Sequence, residues 1–389
     1  MLIEAQAIKP QLIAWRRAIH RHPELGFDVY RTADLVATTL AELGIEAQVG
    51  VGKTGVVGYL GNGSGPVIGI RADMDALPIS EENNTPYASQ VPGAMHACGH
   101  DAHTAMLLGV ARLLHDKEIP GQIRLLFQPS EEDADENGVS GAPAMIADGA
   151  LDGVDAVIAL HVNGSIDAGL IRADDGWIGA AVDTFRGHVI GRGGHAAYPH
   201  QTLDPIWLMT HVLNALYAIP SRRISPLLPS VITVGIVRGG TADNVIPASV
   251  YVEGTIRSMD EAVRSQLAAD IEMSFGLARA FGGDYQLEII RGYPAQYNEP
   301  QVAGWLRQVA GDLLGAESIL TGQQGMGAED FSYMTQHAPG AMFGLGVKAP
   351  GGAPRYLHTP TFDIDEDALS IGAAILAETA LRFVRSELG

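Results

Sequence analysis

The chain has 389 residues, of which 47% are hydrophobic and 18% charged, and its 25 basic against 45 acidic residues give a formal net charge of −20. This length predicts two domains, and the negative charge argues against nucleic acid and membrane partners, because phosphate backbones and anionic lipids repel an acidic surface. Cys98 is the single cysteine, so an intrachain disulfide is excluded, as suits a reducing compartment.

The N-terminal segment predicts an amphipathic helix rather than a secretion signal. Leu12, Ile13 and Ile19 recur at helical spacing together with Trp15, and no uninterrupted apolar stretch follows a basic segment. No apolar run reaches the length of about 18 residues that a transmembrane helix needs. We therefore expect a cytoplasmic protein.

Helices and short apolar strands alternate over the first part of the chain. This alternation is typical of an α/β sheet that helices cover on both faces. Helices are predicted over 10–21, 31–43 and 102–115, and strands over 54–60, 67–73, 122–129 and 155–162.

The pattern changes near residue 183. Strands are predicted over 184–194, 230–240, 249–258 and 285–292, and helices over 203–218 and 260–280. In 249–258, Val250, Val252 and Ile256 alternate with polar side chains, as in a sheet with one face in water. This order of elements predicts a two-layer α+β domain.

The last part of the chain predicts a return to the first domain, with a helix over 298–315, a strand over 341–346 and a helix over 365–385. We therefore predict an α/β catalytic domain with a central, mostly parallel sheet covered by helices. It comprises residues 1–182 and 293–389, and the α+β domain at 183–292 is an insertion into it.

Common catalytic motifs are missing or lie in the wrong context. The segment "AQVGVGKT" (47–54) partly matches a phosphate-binding loop, but strand-like residues follow it where a helix is required. G-x-S-x-G does not occur, and G-x-G-x-x-G occurs only where it overlaps this segment (50–55), where strand-like residues follow instead of a helix, so serine hydrolases and dinucleotide enzymes lack their signatures.

The segment "HACGHDAH" (96–103) concentrates chemically active side chains. Cys98 and His100 are two residues apart, so an extended backbone directs both to one side, where thiolate and imidazole suit zinc or a similar ion. Cys98 as a thiolate nucleophile or as a small buried side chain stays open, as does His96 or His103 in place of His100. We expect Asp101 to be the N-cap of helix 102–115.

Further candidates follow two predicted strands. Glu131 and Glu132 come after strand 122–129, and His161 ends strand 155–162. Sites in open α/β sheets form beyond the carboxyl ends of strands. One glutamate could bind a metal while the other takes a proton from water, although a solvated acidic loop is the alternative.

Several motifs occur in one order over nearly the whole chain: "RADMDALP", "HACGHDAHTAMLLG", "QPSEE", "ALHV", "GRGGHAAYPH", "DNVIP", "GTIRS", "GAEDFSY" and "LHTPTFDIDEDAL". Together they resemble the bacterial and plant amidohydrolases that cleave N-acyl amino acids, namely hippurate hydrolases, aminoacylases and auxin-conjugate hydrolases. These belong to the wider aminoacylase–carboxypeptidase metallopeptidase superfamily.

The resemblance implies two divalent metal ions per subunit (zinc, manganese, cobalt or nickel) and a small N-acyl amino acid as substrate. The implied metal ligands are Cys98, His100, Glu132, His161 and His358. It also implies that Glu131 is the general base and that the inserted domain is a lid that forms a homodimer or a larger assembly. His195 would reach the partner subunit's site, and Asn244 and Arg257 would contact the scissile carbonyl and the substrate carboxylate.

Two features depart from the superfamily pattern. Asp73-Met74-Asp75 stands where the superfamily has a His-x-Asp pair, which suggests that His100 supplies the imidazole and that Asp75 orients a ligand. An insertion at 133–140 follows the glutamate pair and adjoins the predicted site, so the preferred acyl group and amino acid stay open.

Three other functions stay open at this point. An N-acetyl-diaminopimelate deacetylase or a dipeptidase would share the metal chemistry. A cysteine hydrolase would use Cys98 as nucleophile, and a metal-stabilised binding protein would have no turnover.

Overall fold

The computed structural model describes residues 1–322 and 325–388. The chain divides into two compact units, the first comprising Met1–Gly176, Tyr297–Gln323 and Asp330–Gly389 and the second Trp177–Gln296 and Gln324–Glu329. The sequence placed these boundaries at 182/183 and 292/293. Residues 323, 324 and 389, which the predicted catalytic domain includes, lie outside the described residues.

Eleven α-helices and sixteen strands are present in the described residues. The helices are α1 (Leu2–Ala7), α2 (Lys9–His20), α3 (Tyr30–Glu42), α4 (His100–Leu114), α5 (Gly141–Ala147), α6 (Pro205–Arg222), α7 (Glu261–Phe275), α8 (Leu277–Ala280), α9 (Pro300–Leu314), α10 (Phe331–His337) and α11 (Ala368–Val384). The strands are β1 (Glu46–Val51), β2 (Gly55–Gly61), β3 (Val67–Asp73), β4 (Gln122–Gln128), β5 (Ala156–Asp167), β6 (Ile171–Arg172), β7 (Gly176–Gly179), β8 (Ala181–Ile190), β9 (Gly194–His195), β10 (Ser230–Gly239), β11 (Val245–Ile246), β12 (Ser249–Ser258), β13 (Asp284–Arg291), β14 (Gln296–Asn298), β15 (Ile319–Leu320) and β16 (Gly340–Lys348). Among the described helices, none has the length and apolar character needed to cross a membrane.

The first unit contains an eight-stranded sheet in the order β1-β2-β4-β3-β5-β16-β6-β15. The central strands β4, β3, β5 and β16 run parallel to their neighbours in this group. Helices α4 and α11 pack against each other and against β3, whose side chains are almost all buried. The predicted α/β class with a mostly parallel central sheet is therefore confirmed.

Parallel pairing places the ends of two strands beside the middle of a third. Asp73 at the end of β3 pairs with Gln128 at the end of β4, and β5 lies on the other side of β3. The segments that follow β3 and β4, and the middle of β5, are therefore neighbours, which is the geometry that forms a crevice in open α/β sheets.

The second unit contains a four-stranded antiparallel sheet in the order β10-β12-β8-β13, with α6 and α7 packed on it. Along β12 buried and partly exposed residues alternate strictly, as the sequence predicted. The single helix predicted over 260–280 is instead two, because α7 ends at Phe275 and α8 begins after Gly276.

The segment "AQVGVGKT" belongs to a β-hairpin. β1 ends at Val51, a turn that includes Lys53 with φ of 76° follows, and β2 begins at Gly55. A phosphate-binding loop needs a helix N-terminus at this point, so the hairpin excludes that geometry.

Candidate metal centre

The loop that carries Cys98 and His100 depends on the glycine between them. Gly99 has a φ of +88°, which side-chain-bearing residues rarely adopt, and a Cβ placed on it would lie 2.4 Å from Cγ2 of Val162. Gly99 is the N-cap of α4, so the prediction that Asp101 fills this role was wrong. The carboxylate of Asp101 instead accepts a hydrogen bond of 2.7 Å from Arg16.

Two groups of metal-binding side chains share Cys98. One comprises Cys98, His100 and His161, the other Cys98, Glu132 and His358, and in each the ligand atoms lie within 4.8 Å of one another. The Cys98 sulfur is 3.4 Å from Nε2 of His161 and 3.3 Å from Nε2 of His358. The first unit therefore brings together all five predicted ligands, with the thiol between the two groups.

Polar atoms without hydrogen bonds indicate that a cation fits here. Both ring nitrogens of His100 and Oε1 of Glu132 are buried and have no hydrogen-bond partner among the described residues. His161 Nδ1 donates to the Val162 carbonyl at 2.8 Å, so in the neutral ring Nε2 carries a lone pair directed toward Cys98. Thiolate, imidazole and carboxylate together form a donor set suited to zinc and similar divalent ions.

The charge of the surroundings agrees with this interpretation. Burial alone would lower the pKa of His100, but the carboxylates of Asp73, Asp75 and Glu132 raise it to about 10. Burial, and then the charges of Glu132 and Glu131, raise the pKa of the Cys98 thiol well above its usual range. Without a cation this site therefore disfavours a thiolate, whereas a catalytic cysteine needs surroundings that lower the thiol pKa.

Asp75 holds the turn that contains the glutamate pair. Its two carboxylate oxygens accept hydrogen bonds from the backbone N–H groups of Glu131 (2.9 Å) and Glu132 (3.1 Å). Oδ1 of Asp75 also lies 3.4 Å from Nδ1 of His100. These contacts support the predicted role of Asp75 in orienting ligands, and they place the turn beside the imidazole.

Glu131 is buried and lies beside both metal-binding groups. Its Oε2 is 4.0 Å from Nε2 of His100, and Oε1 of Glu132 is 3.9 Å from the same nitrogen. Glu131 belongs to neither of the groups that contain Cys98. Two carboxylates thus face one imidazole, and one of them adjoins the thiol.

His103 is committed to other contacts and is unsuited to replace His100. Its Nδ1 donates to Asp73 at 2.6 Å, and its Nε2 accepts the backbone N–H of Val162 at 3.0 Å, so both ring nitrogens are used. His96 is buried without a hydrogen bond to either nitrogen, and burial lowers its pKa to about 3. Among the described residues, His96 belongs to none of the groups that could hold a metal.

Three of the predicted site residues lie in the second unit. His195 on β9 pairs with Val245 on β11, and the carbonyl of Asn244 accepts the N–H of Ala196 at 3.1 Å, so His195 and Asn244 are neighbours on an exposed part of this unit. Arg257 is half-buried on β12. Burial lowers its pKa, and no carboxylate of the described residues offsets that shift.

The sequence analysis missed the residues beneath the ligands. Arg16 and His20 are buried on the inner face of α2 together with Leu12 and Ile19, and His20 Nδ1 hydrogen-bonds Asp101 at 2.8 Å. Neither residue is among the site candidates of the sequence, and His20 is the last residue of α2. Their spacing could have indicated this burial, because Arg16 and His20 follow Leu12 by four and eight residues and therefore lie on the same face of the helix.

Comparison with known proteins supports the same chemistry. The model of peptidase family M20/M25/M40 matches residues 69–382. The chain is 40% identical to thermostable carboxypeptidase 2 of Saccharolobus solfataricus, over 98% of this chain and 97% of the relative. It is 38% identical to N-acetyl-L-cysteine deacetylase of Bacillus subtilis, over 99% of this chain and 91% of the relative. The crystal structure of the Bacillus subtilis YXEP protein, described as a dinuclear metal binding peptidase, matches with a TM-score of 0.85 and 32% identity, over 98% of this chain and 99% of that one.

Proposed function

The chain belongs to peptidase family M20/M25/M40, and from this membership we propose that it is a metal-dependent enzyme that hydrolyses the amide bond of N-acyl amino acids to a carboxylic acid and a free amino acid. The observation that carries the proposal is the pair of metal-binding groups joined at Cys98, with the buried Glu131 beside them. The name of the deacetylase relative supports an acyl group as part of the substrate.

Cys98, His100, Glu132, His161 and His358 would hold two divalent ions, and Cys98 belongs to both groups of potential ligands. Bound ions of this kind polarise an amide carbonyl and lower the pKa of a water molecule. Thiolate and imidazole ligands favour zinc, whereas manganese prefers oxygen ligands, and reconstitution with zinc, manganese, cobalt and nickel compares their activities.

Glu131 is the proposed general base. Its carboxylate takes the proton of the attacking water and then delivers it to the nitrogen of the leaving amino acid. Asp75 holds the backbone of Glu131 and Glu132 through its two hydrogen bonds, which fixes the direction of both carboxylates. These two roles require that the adjacent glutamates have different contacts. Glu132 belongs to a metal-binding group with Cys98, and Glu131 does not.

His195 is the proposed donor to the oxyanion that develops on the scissile carbonyl. Its Nδ1 accepts the N–H of Ala197 at 3.1 Å, so the proton of the neutral ring is on Nε2 and can be donated to substrate. We propose that His195 acts in the site of a partner subunit, in a homodimer formed through the second unit. Its exposure on β9 is compatible with that role.

Arg257 and Asn244 are the proposed substrate contacts of the second unit. The guanidinium of Arg257 is partly desolvated, and within the described ranges no carboxylate offsets the effect of burial on its pKa, so a substrate carboxylate would form a bidentate charged hydrogen bond there. The amide of Asn244, next to His195, is suited to the scissile carbonyl. The lid function of this unit and a cytoplasmic location are proposals that rest on the sequence.

A carboxypeptidase activity is the second candidate, because a relative with 40% identity carries that name. A dipeptidase or N-acetyl-diaminopimelate deacetylase would use the same groups on another substrate. A cysteine hydrolase is disfavoured by the raised pKa of Cys98. A purely structural metal site would enclose its ion with ligands, whereas Glu131 adds a carboxylate outside the five-ligand set.

The test is hydrolysis by metal-depleted protein after reconstitution with zinc, manganese, cobalt or nickel. The substrates are N-acetyl, N-benzoyl and indole-acetyl amino acids, N-acetyl-diaminopimelate and dipeptides with an unmodified amine. We expect metal to restore cleavage of an N-acyl amino acid. Cleavage of dipeptides alone would favour a peptidase, and activity that survives chelation but not a thiol alkylating agent would favour a cysteine hydrolase. Lower thermal stability on chelation without turnover of any substrate would indicate a binding protein.

A further inference from the structure

Arg16 is a fully buried arginine that contacts three carboxylates. From α2 it donates hydrogen bonds to Asp101 at 2.7 Å, to Asp363 at 2.8 Å and to Glu366 at 3.1 Å. Its guanidinium also lies over the ring of Tyr87, 4.9 Å from the centroid. A planar guanidinium can satisfy carboxylates in several directions, which the single ammonium of lysine cannot do with the same geometry.

Two of these carboxylates belong to segments that carry proposed metal ligands. Asp101 follows His100 directly at the start of α4, and Asp363 lies five residues after His358, in a segment outside the helices and strands. The two segments come from distant parts of the sequence. Arg16 therefore ties together the backbones that carry one histidine from each metal-binding group.

Those histidines contact mainly other groups of the proposed metal site. Neither ring nitrogen of His100 makes a hydrogen bond with a described residue, and its Nδ1 lies 3.4 Å from Oδ1 of Asp75. His358 has a φ of 58° and a side chain that is 53% exposed, its Nε2 lies 3.2 Å from Oε1 of Glu132, and its N–H donates to the Ala97 carbonyl at 2.8 Å. Besides the backbone hydrogen bond between His358 and Ala97, the hydrogen bonds of Arg16 to Asp101 and Asp363 thus form a second connection between these segments.

We propose that Arg16 is a positioning residue that sets the separation of the His100 and His358 segments and thereby allows Cys98 to serve both metal ions; the proposal rests on the ligand assignment above. Loss of the guanidinium would leave Asp101 paired with His20, through Nδ1 at 2.8 Å, but would remove one tie of Asp363. The group with Glu132 and His358 should therefore weaken more than the group with His100 and His161.

Arg17 provides a matched control on the same helix. Its guanidinium lies over the same Tyr87 ring, 4.5 Å from the centroid, and donates two hydrogen bonds to Glu366, at 3.0 and 2.6 Å. It has no hydrogen bond to Asp101 or Asp363 in the part of the chain that the structure describes. Arg17→Met thus removes a guanidinium and contacts to Tyr87 and Glu366 while it leaves the hydrogen bonds of Arg16 to Asp101 and Asp363 in place.

The experiment is a cobalt(II) titration of four metal-depleted proteins: wild type, Arg16→Met, Arg16→Lys and Arg17→Met. Binding is monitored by calorimetry and by the sulfur-to-cobalt absorption band of Cys98. For Arg16→Met we expect a second equivalent bound about 10–100-fold more weakly, the range seen when a group that orients a ligand is removed, together with an altered band. Arg16→Lys should recover only part of the loss, and Arg17→Met should match wild type. Equal behaviour of Arg16→Met and wild type would overturn the proposal, and so would an equal loss in Arg17→Met.

If Arg16→Met does not fold, Asp363→Asn tests the same tie, with Arg355→Met as control for the 3.2 Å contact between Arg355 and Asp363. We expect Asp363→Asn, and not Arg355→Met, to weaken the second equivalent. Unchanged binding in Asp363→Asn would contradict the role of the tie. Wild type that takes up fewer than two cobalt ions would instead refute the ligand assignment itself.

Discussion

Replacement of Gly99 by alanine should damage the metal centre through a single added methyl group. The φ of +88° would impose a left-handed backbone on alanine, at about 1–2 kcal/mol. The new Cβ would also lie 2.4 Å from Cγ2 of Val162, so the α4 loop or β5 must shift, and such overpacking costs about 1–3 kcal/mol. The expected total is about 2–5 kcal/mol.

Gly93→Ala separates the two contributions. Gly93 has a φ of +79° in the same long connection before α4, but no atom lies within 4 Å of a Cβ placed there. Any effect of alanine on the unfolded chain is common to both variants and cancels in their difference. Gly93→Ala should therefore lose only about 1–2 kcal/mol.

The assay is urea unfolding of the metal-depleted variants, compared at the transition midpoint, with cobalt(II) binding as a second measurement. Gly99→Ala should have the lower midpoint and bind cobalt more weakly, because the shift separates Cys98 and His100 from His161. Equal midpoints for the two variants, with full cobalt binding by Gly99→Ala, would refute the argument that close packing against Val162 sets the position of this loop.

Three further outcomes are expected. Glu131→Gln should keep its metal content while hydrolysis falls about 10²–10⁴-fold, the usual contribution of general base catalysis. If the metal content of this variant also falls, Glu131 is the ligand and Glu132 is the general base. Inactive His195→Ala and inactive Glu131→Gln chains should regain activity as a mixed dimer, which has one complete site, and continued inactivity after proven subunit exchange would count against action in the partner's site. Burial lowers the pKa of His20, but Asp101 and Glu81 raise it overall, from 6.5 to about 9. Because the folded pKa is the higher one, its stabilisation of up to about 3 kcal/mol is complete below pH 6.5 and lost by about pH 9. In metal-depleted protein, His20→Gln should remove this decrease of the urea midpoint between pH 6.5 and about 9. The same pH dependence in the variant and the wild type would contradict the role of His20.

The sequence predicted the parts of the site that follow regular strands. Glu131 and Glu132 were located because an apolar strand precedes them and parallel strands end at one edge of a sheet. His161 was located within an apolar strand, but that strand continues to Asp167 instead of ending at 162. His358 has no such signal, since it lies in a segment without helix or strand, and only the resemblance pointed to it. Loop positions of this kind depend on tertiary contacts that local patterns do not encode.

The error at Asp101 has a physical cause. The local pattern suggested an N-cap, which is a favourable use of that residue type. Tertiary packing instead buried the Asp101 carboxylate against Arg16 and His20 of α2, where the opposite charges offset one another. A pairing across 81 residues of sequence is not visible in a local pattern.

Anomalous diffraction at the zinc edge from crystals of the zinc-loaded protein tests the central claim most directly. We predict two peaks in each first unit, one beside His100 and His161 and the other beside Glu132 and His358, with the Cys98 sulfur within bonding distance of both. A single peak, or two peaks without contact to Cys98, would contradict the shared thiolate and the two-metal assignment.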